Sequence, residues 1–167
     1  MSEGKKFIHT TEAVQKGLNT WIQAMQKNLD KKNRYGSRTN NSGSLRQSIG
    51  DNFDTPVKVT PKFLISATLS MNAYGKQVDE GRAPSKGGSR PGKLQAKIRN
   101  WVKTKGIRFD GISQESTIYL ITRKIHREGY KGTGFKSKVI NRRSKKKLTR
   151  DIAPAVAKDF VNIMFGR

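Results

Sequence analysis

Apolar side chains recur at steps of three and four between residues 14 and 29. Val14, Leu18, Trp21, Ile22, Met25 and Leu29 share one face of an α-helix, and a stripe of this kind has to be covered by the rest of the fold. The spacing predicts a helix over 12–31. Thr10 or Thr11 is the expected cap, and Glu12 suits the positive end of the helix dipole. Gly17 lies inside the helix, where it costs about 1 kcal/mol relative to alanine.

What remains to cover the stripe comes in short pieces. Residues 32–44, KNRYGSRTNNSGS, carry no apolar periodicity and read as a long flexible loop. Val57 and Val59 flank Lys58, and Thr60-Pro61-Lys62 gives a turn. Phe63, Ile65, Ala67 and Leu69 then alternate with Leu64, Ser66, Thr68 and Ser70. Period two beside a turn is the hairpin pattern. Pro56 and Pro61 fall at strand ends, where a missing N–H does little harm.

Residues 72–92 read as a connecting loop. A second helix places Leu94, Ile98, Trp101 and Val102 on one face and stops at Gly106. A third is predicted over 114–128, with Ser113 as its cap, Ile118, Ile121 and Ile125 on its apolar side, and Gly129 at its end. Residues 130–147 form another basic loop. The last helix is expected from Asp151, with Pro154 in its first turn and Ile152, Val156, Phe160 and Ile163 facing inward. The order α–β–β–α–α–α predicts an α+β domain, a small antiparallel sheet packed with helices. With 167 residues, a single domain is expected, with flexible loops near 32–44, 83–91 and 130–147.

Charge is the dominant compositional signal, with 35 Lys and Arg against 12 Asp and Glu and a net charge of +23. From Arg82 to Arg150 there are 21 basic and 3 acidic residues. One sign concentrated this way implies a polyanionic partner or acidic neighbours in an assembly. The candidate contacts are Lys93, Lys97, Arg99 and Lys103 on the second helix, and Arg142, Arg143, Lys145, Lys146 and Lys147 in the dense run that follows the third. The run has no interleaved aromatics, so contact with a nucleic-acid backbone is indicated rather than base stacking.

The chemistry of a catalyst is not apparent. Cysteine is absent, which removes thiol nucleophiles, disulfides and Cys-based zinc sites. His9 lies in what reads as an unstructured start and His126 on a polar helix end, without partners at metal-ligand spacing. Asp79 and Glu80 are the one candidate pair for a Mg²⁺-dependent nuclease, yet Asp51, Asp54 and Asp110 are scattered. There is no phosphate-binding loop or nucleophile elbow. The expectation is a non-enzyme with no cofactor and no metal. No apolar run approaches the length of a membrane span. The first residues lack the apolar core of a secretory signal, so no membrane association is expected and the protein should stay in the cytoplasm where it is made.

Four stretches carry a resemblance. They are Ser42-Gly43-Ser44-Leu45-Arg46-Gln47-Ser48-Ile49, then Tyr74 with Val78-Asp79-Glu80-Gly81-Arg82. Next come Pro91-Gly92-Lys93-Leu94 with Ile98, Trp101, Val102 and Lys105-Gly106-Ile107, and finally Ile121-Thr122-Arg123-Lys124-Ile125 with Gly129, Gly134 and Phe135. In this order they resemble the neck or tail-completion (head–tail connector) proteins of tailed bacteriophages. The loop after Arg82 is longer than the pattern, so its contacts do not carry over. The resemblance implies a structural virion protein forming a homo-oligomeric ring of six or twelve copies. The ring would join the portal or head-completion proteins to the tail, with packaged DNA passing through it. Tyr74, Glu80, Gly81, Arg82 and Trp101 read as fold-determining, Gly81 by supplying a backbone conformation other residues avoid. The alternative is a free, sequence-independent nucleic-acid-binding basic protein.

Overall fold

The apolar stripe lies on α1, Ile8–Asp30, of a computed structural model that describes residues 7–31, 43–50, 57–59, 65–85 and 92–165. Val14, Leu18, Ile22, Met25 and Leu29 are buried. The helix begins earlier than its spacing suggested. Phe7 occupies the cap position without a side-chain cap bond, and no acid lies in the first turn. Thr10 and Thr11 are therefore inside the helix rather than caps. His9, expected in an unstructured start, is helical as well.

The fold is α+β. After α1 come α2 (Ser44–Ser48), β1 (Lys58–Val59), β2 (Ile65–Ser66), α3 (Gly75–Glu80), β3 (Gly81–Arg82), α4 (Lys93–Lys105), α5 (Gln114–Glu128), β4 (Tyr130–Lys131) and α6 (Arg142–Phe165). The hairpin is antiparallel, pairing Lys58 with Ser66 and Val59 with Ile65. Its strands are two residues long, and Ala67 and Leu69 lie beyond it. The turn expected at Thr60-Pro61-Lys62 and most of the 32–44 segment lie outside the described residues.

Two compact units divide the chain: Met1–Asp79 with Gly134–Arg167, and Glu80–Thr133. In the first, α1 packs on α6. Ile22, Met25, Leu29, Leu45, Ile49 and Phe135 form one buried cluster, and Val14, Leu18 and Val57 form a second, with Ile65 and Ile152 against it. At Gly17 a side chain of α6 lies against the backbone of α1. A Cβ there would lie 2.1 Å from Leu148 Cδ1, so the residue that weakens α1 locally admits a side chain of α6.

In the second unit, α4 packs on α5, with Val102 and Ile118 fully buried. Gly106 ends α4 in a left-handed conformation. Ser113 caps α5 by accepting the Ser116 N–H at 3.1 Å. β3 pairs antiparallel with β4, Gly81 opposite Lys131 and Arg82 opposite Tyr130. Gly81 has φ +86, and a Cβ there would lie 2.3 Å from the Tyr130 carbonyl oxygen. No side chain fits in that space, so the glycine is required by both backbone conformation and contact.

Four expectations need correction. Residues 72–92 contain α3 and β3 rather than only loop, because the Gly75–Glu80 turn of helix feeds directly into a strand. The 130–147 segment is largely ordered secondary structure and turn. The last helix starts at Arg142, which puts Pro154 in its interior. Proline has no N–H, so the Arg150 carbonyl lacks its usual helical donor. The inward face of α6 is also rotated. It runs through Ile152, Ala155, Val156, Asp159 and Asn162, whereas Phe160 and Ile163 are exposed.

Candidate anion-binding surface

The basic run of residues 142–147 is held on a fixed backbone, and the reason begins at Asp79. This carboxylate is buried at the end of α3. Its Oδ1 accepts the N–H groups of Lys136 at 2.6 Å and Ser137 at 3.1 Å, and Oδ2 accepts the Ser137 hydroxyl. Burial alone would raise its pKa. The Ser137 hydroxyl and the two backbone donors outweigh that and hold the pKa below the ordinary aspartate range. The Gly134 N–H adds a bond to the Asp79 carbonyl at 2.9 Å, and the Phe135 ring is buried beneath the turn. With its oxygens engaged by three donors, Asp79 works as an anchor for residues 134–137. Glu80 beside it is exposed. Among the described residues, no group of three or more His, Asp or Glu is placed to hold a metal.

Asn141 then starts α6. Its side-chain oxygen accepts the Ser144 N–H at 3.0 Å, while the Ser144 hydroxyl accepts the Asn141 N–H at 3.0 Å. This is a reciprocal capping box. Its signal, Asn141 with a hydroxyl residue three positions on, is present in the sequence but is masked by the surrounding charge.

From that start the helix sorts the basic run into faces. Arg143, Lys146, Lys147 and Arg150 follow i, i+3, i+4, i+7 and, with Lys138, line an open groove of about 780 Å³. Arg142 and Lys145 are exposed and do not line it. Lys147 is paired with Asp151 at 2.6 Å, which holds the Asp151 carboxyl below its usual range. Arg143, Lys146 and Arg150 have no ion-pair partner among the described residues. Arg150, which the basic run as read in the sequence did not include, belongs to the surface because helical phase returns it to the same side.

The α4 cations lie in the other unit. Lys93 opens the helix, and Lys97 and Lys103 are exposed along it. Arg99 instead binds Glu115 through two hydrogen bonds, Nε to Oε1 at 3.2 Å and Nη2 to Oε2 at 2.7 Å. That pair ties α4 to α5, and the guanidinium holds the Glu115 carboxyl below its usual range.

The fold-determining candidates are dispersed. The Tyr74 hydroxyl is 2.8 Å from Ser44 Oγ. Arg82 Nη2 donates to Ser85 Oγ at 3.2 Å. Trp101 is 42% exposed, so it lies at the edge of the α4 apolar face rather than under it. His126 is half-buried rather than solvated. Its Nδ1 lies 3.2 Å from Ser85 Oγ, and its Nε2 is buried without a hydrogen bond among the described residues. No helix is long and apolar enough to cross a membrane, among the described residues. No family model matches the chain, and no curated protein or solved structure matches it.

Proposed function

We propose that this chain is a structural subunit of a bacteriophage neck, a head–tail connector or tail-completion protein that assembles with copies of itself and with portal and tail neighbours. The observation that carries the reading is the convergence of segments that resemble that family while lying far apart in sequence. Leu45, Ile49 and Phe135 share one buried cluster. Tyr74 meets Ser44, and the Asn72 N–H bonds the Ser48 hydroxyl at 3.1 Å.

Two surfaces of α6 suit such a role. At its C-terminal end Phe160, Val161, Ile163, Met164 and Phe165 are all exposed, Met164 at 76% and Phe165 at 70%. Contiguous exposed apolar side chains mark protein contacts. At its N-terminal end lies the basic groove, which suits an anionic partner. A ring requires interfaces that close on themselves, and a long helix with unlike ends supplies two different surfaces.

The test is to purify particles from infected cells and to image the isolated protein. The chain is expected in the virion by mass spectrometry and as ring-shaped oligomers by electron microscopy, alone or with its neighbours. A chain that stays monomeric and is missing from purified particles overturns the reading.

A further inference from the structure

We propose, with the connector reading as its setting, that the groove formed by Lys138, Arg143, Lys146, Lys147 and Arg150 binds the phosphate backbone of a nucleic acid without regard to sequence. At the groove, local rules of helix stability are broken. Cations are disfavoured at the N-terminal end of a helix, and α6 has no acid in its first turn. Like charges four residues apart repel, and Arg142–Lys146, Arg143–Lys147 and Lys146–Arg150 are three such pairs. Asp151 relieves Lys147 through a direct ion pair and acts on Arg150 at longer range. Departures of this kind concentrate at functional sites, and a bound polyanion removes the penalty.

The occupant follows from what else lines the groove. Beyond the five cations there are Asn141, Ser144 and Val139, so one small apolar residue lines the groove and its other apolar surface is the aliphatic stems of the cations. An acidic protein partner would need an apolar centre to its interface, whereas protein–nucleic-acid interfaces are polar and strongly positive. Arg143 to Arg150 spans about 10 Å of helix at 1.5 Å per residue, enough to follow several successive phosphates. No aromatic lines the groove, so bases are neither stacked nor read. The anchoring of residues 134–137 by Asp79 and the Asn141–Ser144 cap hold both walls in place before anything binds.

The experiment is fluorescence anisotropy with the full chain and two duplexes of unrelated sequence, over a range of salt, with polyglutamate as a competing polyanion. The variant Arg143→Gln/Lys146→Gln/Arg150→Gln removes three groove charges, and Lys16→Gln/Lys76→Gln/Lys158→Gln removes three exposed charges outside it. Circular dichroism checks that both are folded. Both duplexes are expected to bind alike. The groove variant should bind at least about tenfold more weakly at moderate salt, with the salt slope falling by about one per removed contact. The control variant should stay within a few-fold of the parent. Equal losses in the two variants, no loss in the groove variant, or displacement of duplex by polyglutamate at equal or lower concentration each overturn the proposal. Incorporation of the groove variant into particles is a separate readout. If the chain is retained in virions while duplex binding proves independent of the groove, the phosphate site fails and the connector reading stands.

Discussion

The carboxylate of Asp159 accepts the Thr10 N–H at 2.7 Å and the Thr10 hydroxyl at 2.6 Å, so the last helix of the chain caps the first. The His9 N–H adds a bond at 3.2 Å. Asp159 and Thr10 are both buried. A carboxylate at the N-terminal end of a helix satisfies orphan donors and meets the positive end of its dipole. In most helices a local Ser, Thr or Asp does this. Here the acceptor comes from 149 residues away, so the α1–α6 pairing is specified by a polar contact as well as an apolar one. The neighbouring Phe7 and Phe160 rings meet edge to face at 6.1 Å.

Asp159→Ala is expected to destabilise the α1–α6 unit by about 2–4 kcal/mol, because it leaves buried donors without an acceptor. Thr10→Val should cost less, about 1 kcal/mol, since one bond is lost and the methyl packing is kept. Urea denaturation measures both, and the double variant should fall short of the sum because the two residues share a bond. Additive effects would mean that the contact is not energetically coupled.

Gly17→Ala should be destabilising despite alanine's higher helix propensity. Propensity favours it by about 1 kcal/mol, and displacing Leu148 costs about 1–3 kcal/mol. In the Leu148→Ala background the clash is gone, and the same substitution should become neutral or stabilising. The change of sign between the two backgrounds, read by denaturation midpoint, is the observable.

Gly81→Ala meets backbone on the facing strand rather than a side chain that can move. A loss of about 3 kcal/mol or more from the Glu80–Thr133 unit is expected. Limited proteolysis should cut within that unit first. A variant with unchanged proteolysis would show that β3 and β4 can separate without consequence.

Stability should fall on acidification through Asp79. Its folded pKa is below the unfolded value, so its contribution is fully present above the ordinary aspartate pKa near 4. It is lost as pH falls through the lowered folded value. Asp79→Asn should lower stability at pH 6 and flatten the dependence below pH 4, measured by chemical denaturation at a series of pH values. A variant that retains the parent's acid sensitivity would assign that sensitivity to another carboxylate.

Much of the helical framework was legible because helices announce themselves locally. The stripe from Val14 to Leu29, the Ser113 cap, and the glycines after α4 and α5 each act within a turn or two of their own position. The candidate surface was legible in part. The density of charge from Arg142 to Lys147 was visible, while its division into a groove face and an outer face was not. That division depended on where α6 begins, and the start was obscured because Asn141 and Ser144 are embedded among lysines and arginines. The inward face of α6 was misplaced for a related reason. Asp159 shares the buried side with Ile152 and Val156, and apolar periodicity passes over a carboxylate. Its position between Val156 and Ile163 was the available signal.

By itself the sequence determined the class of fold, the course of α1, α4 and α5, and the concentration of positive charge. These follow from interactions between residues close in the chain, which neighbours suffice to specify. Only the tertiary structure decided that Asp159 caps α1, that Gly17 makes room for Leu148, that Asp79 anchors the turn before α6, and that Arg150 joins the basic groove. Each of these depends on a contact between distant segments or on the phase of a helix whose start is set by its cap. The strength of such contacts comes from burial and from donors that need acceptors, and neither exists until the segments have met.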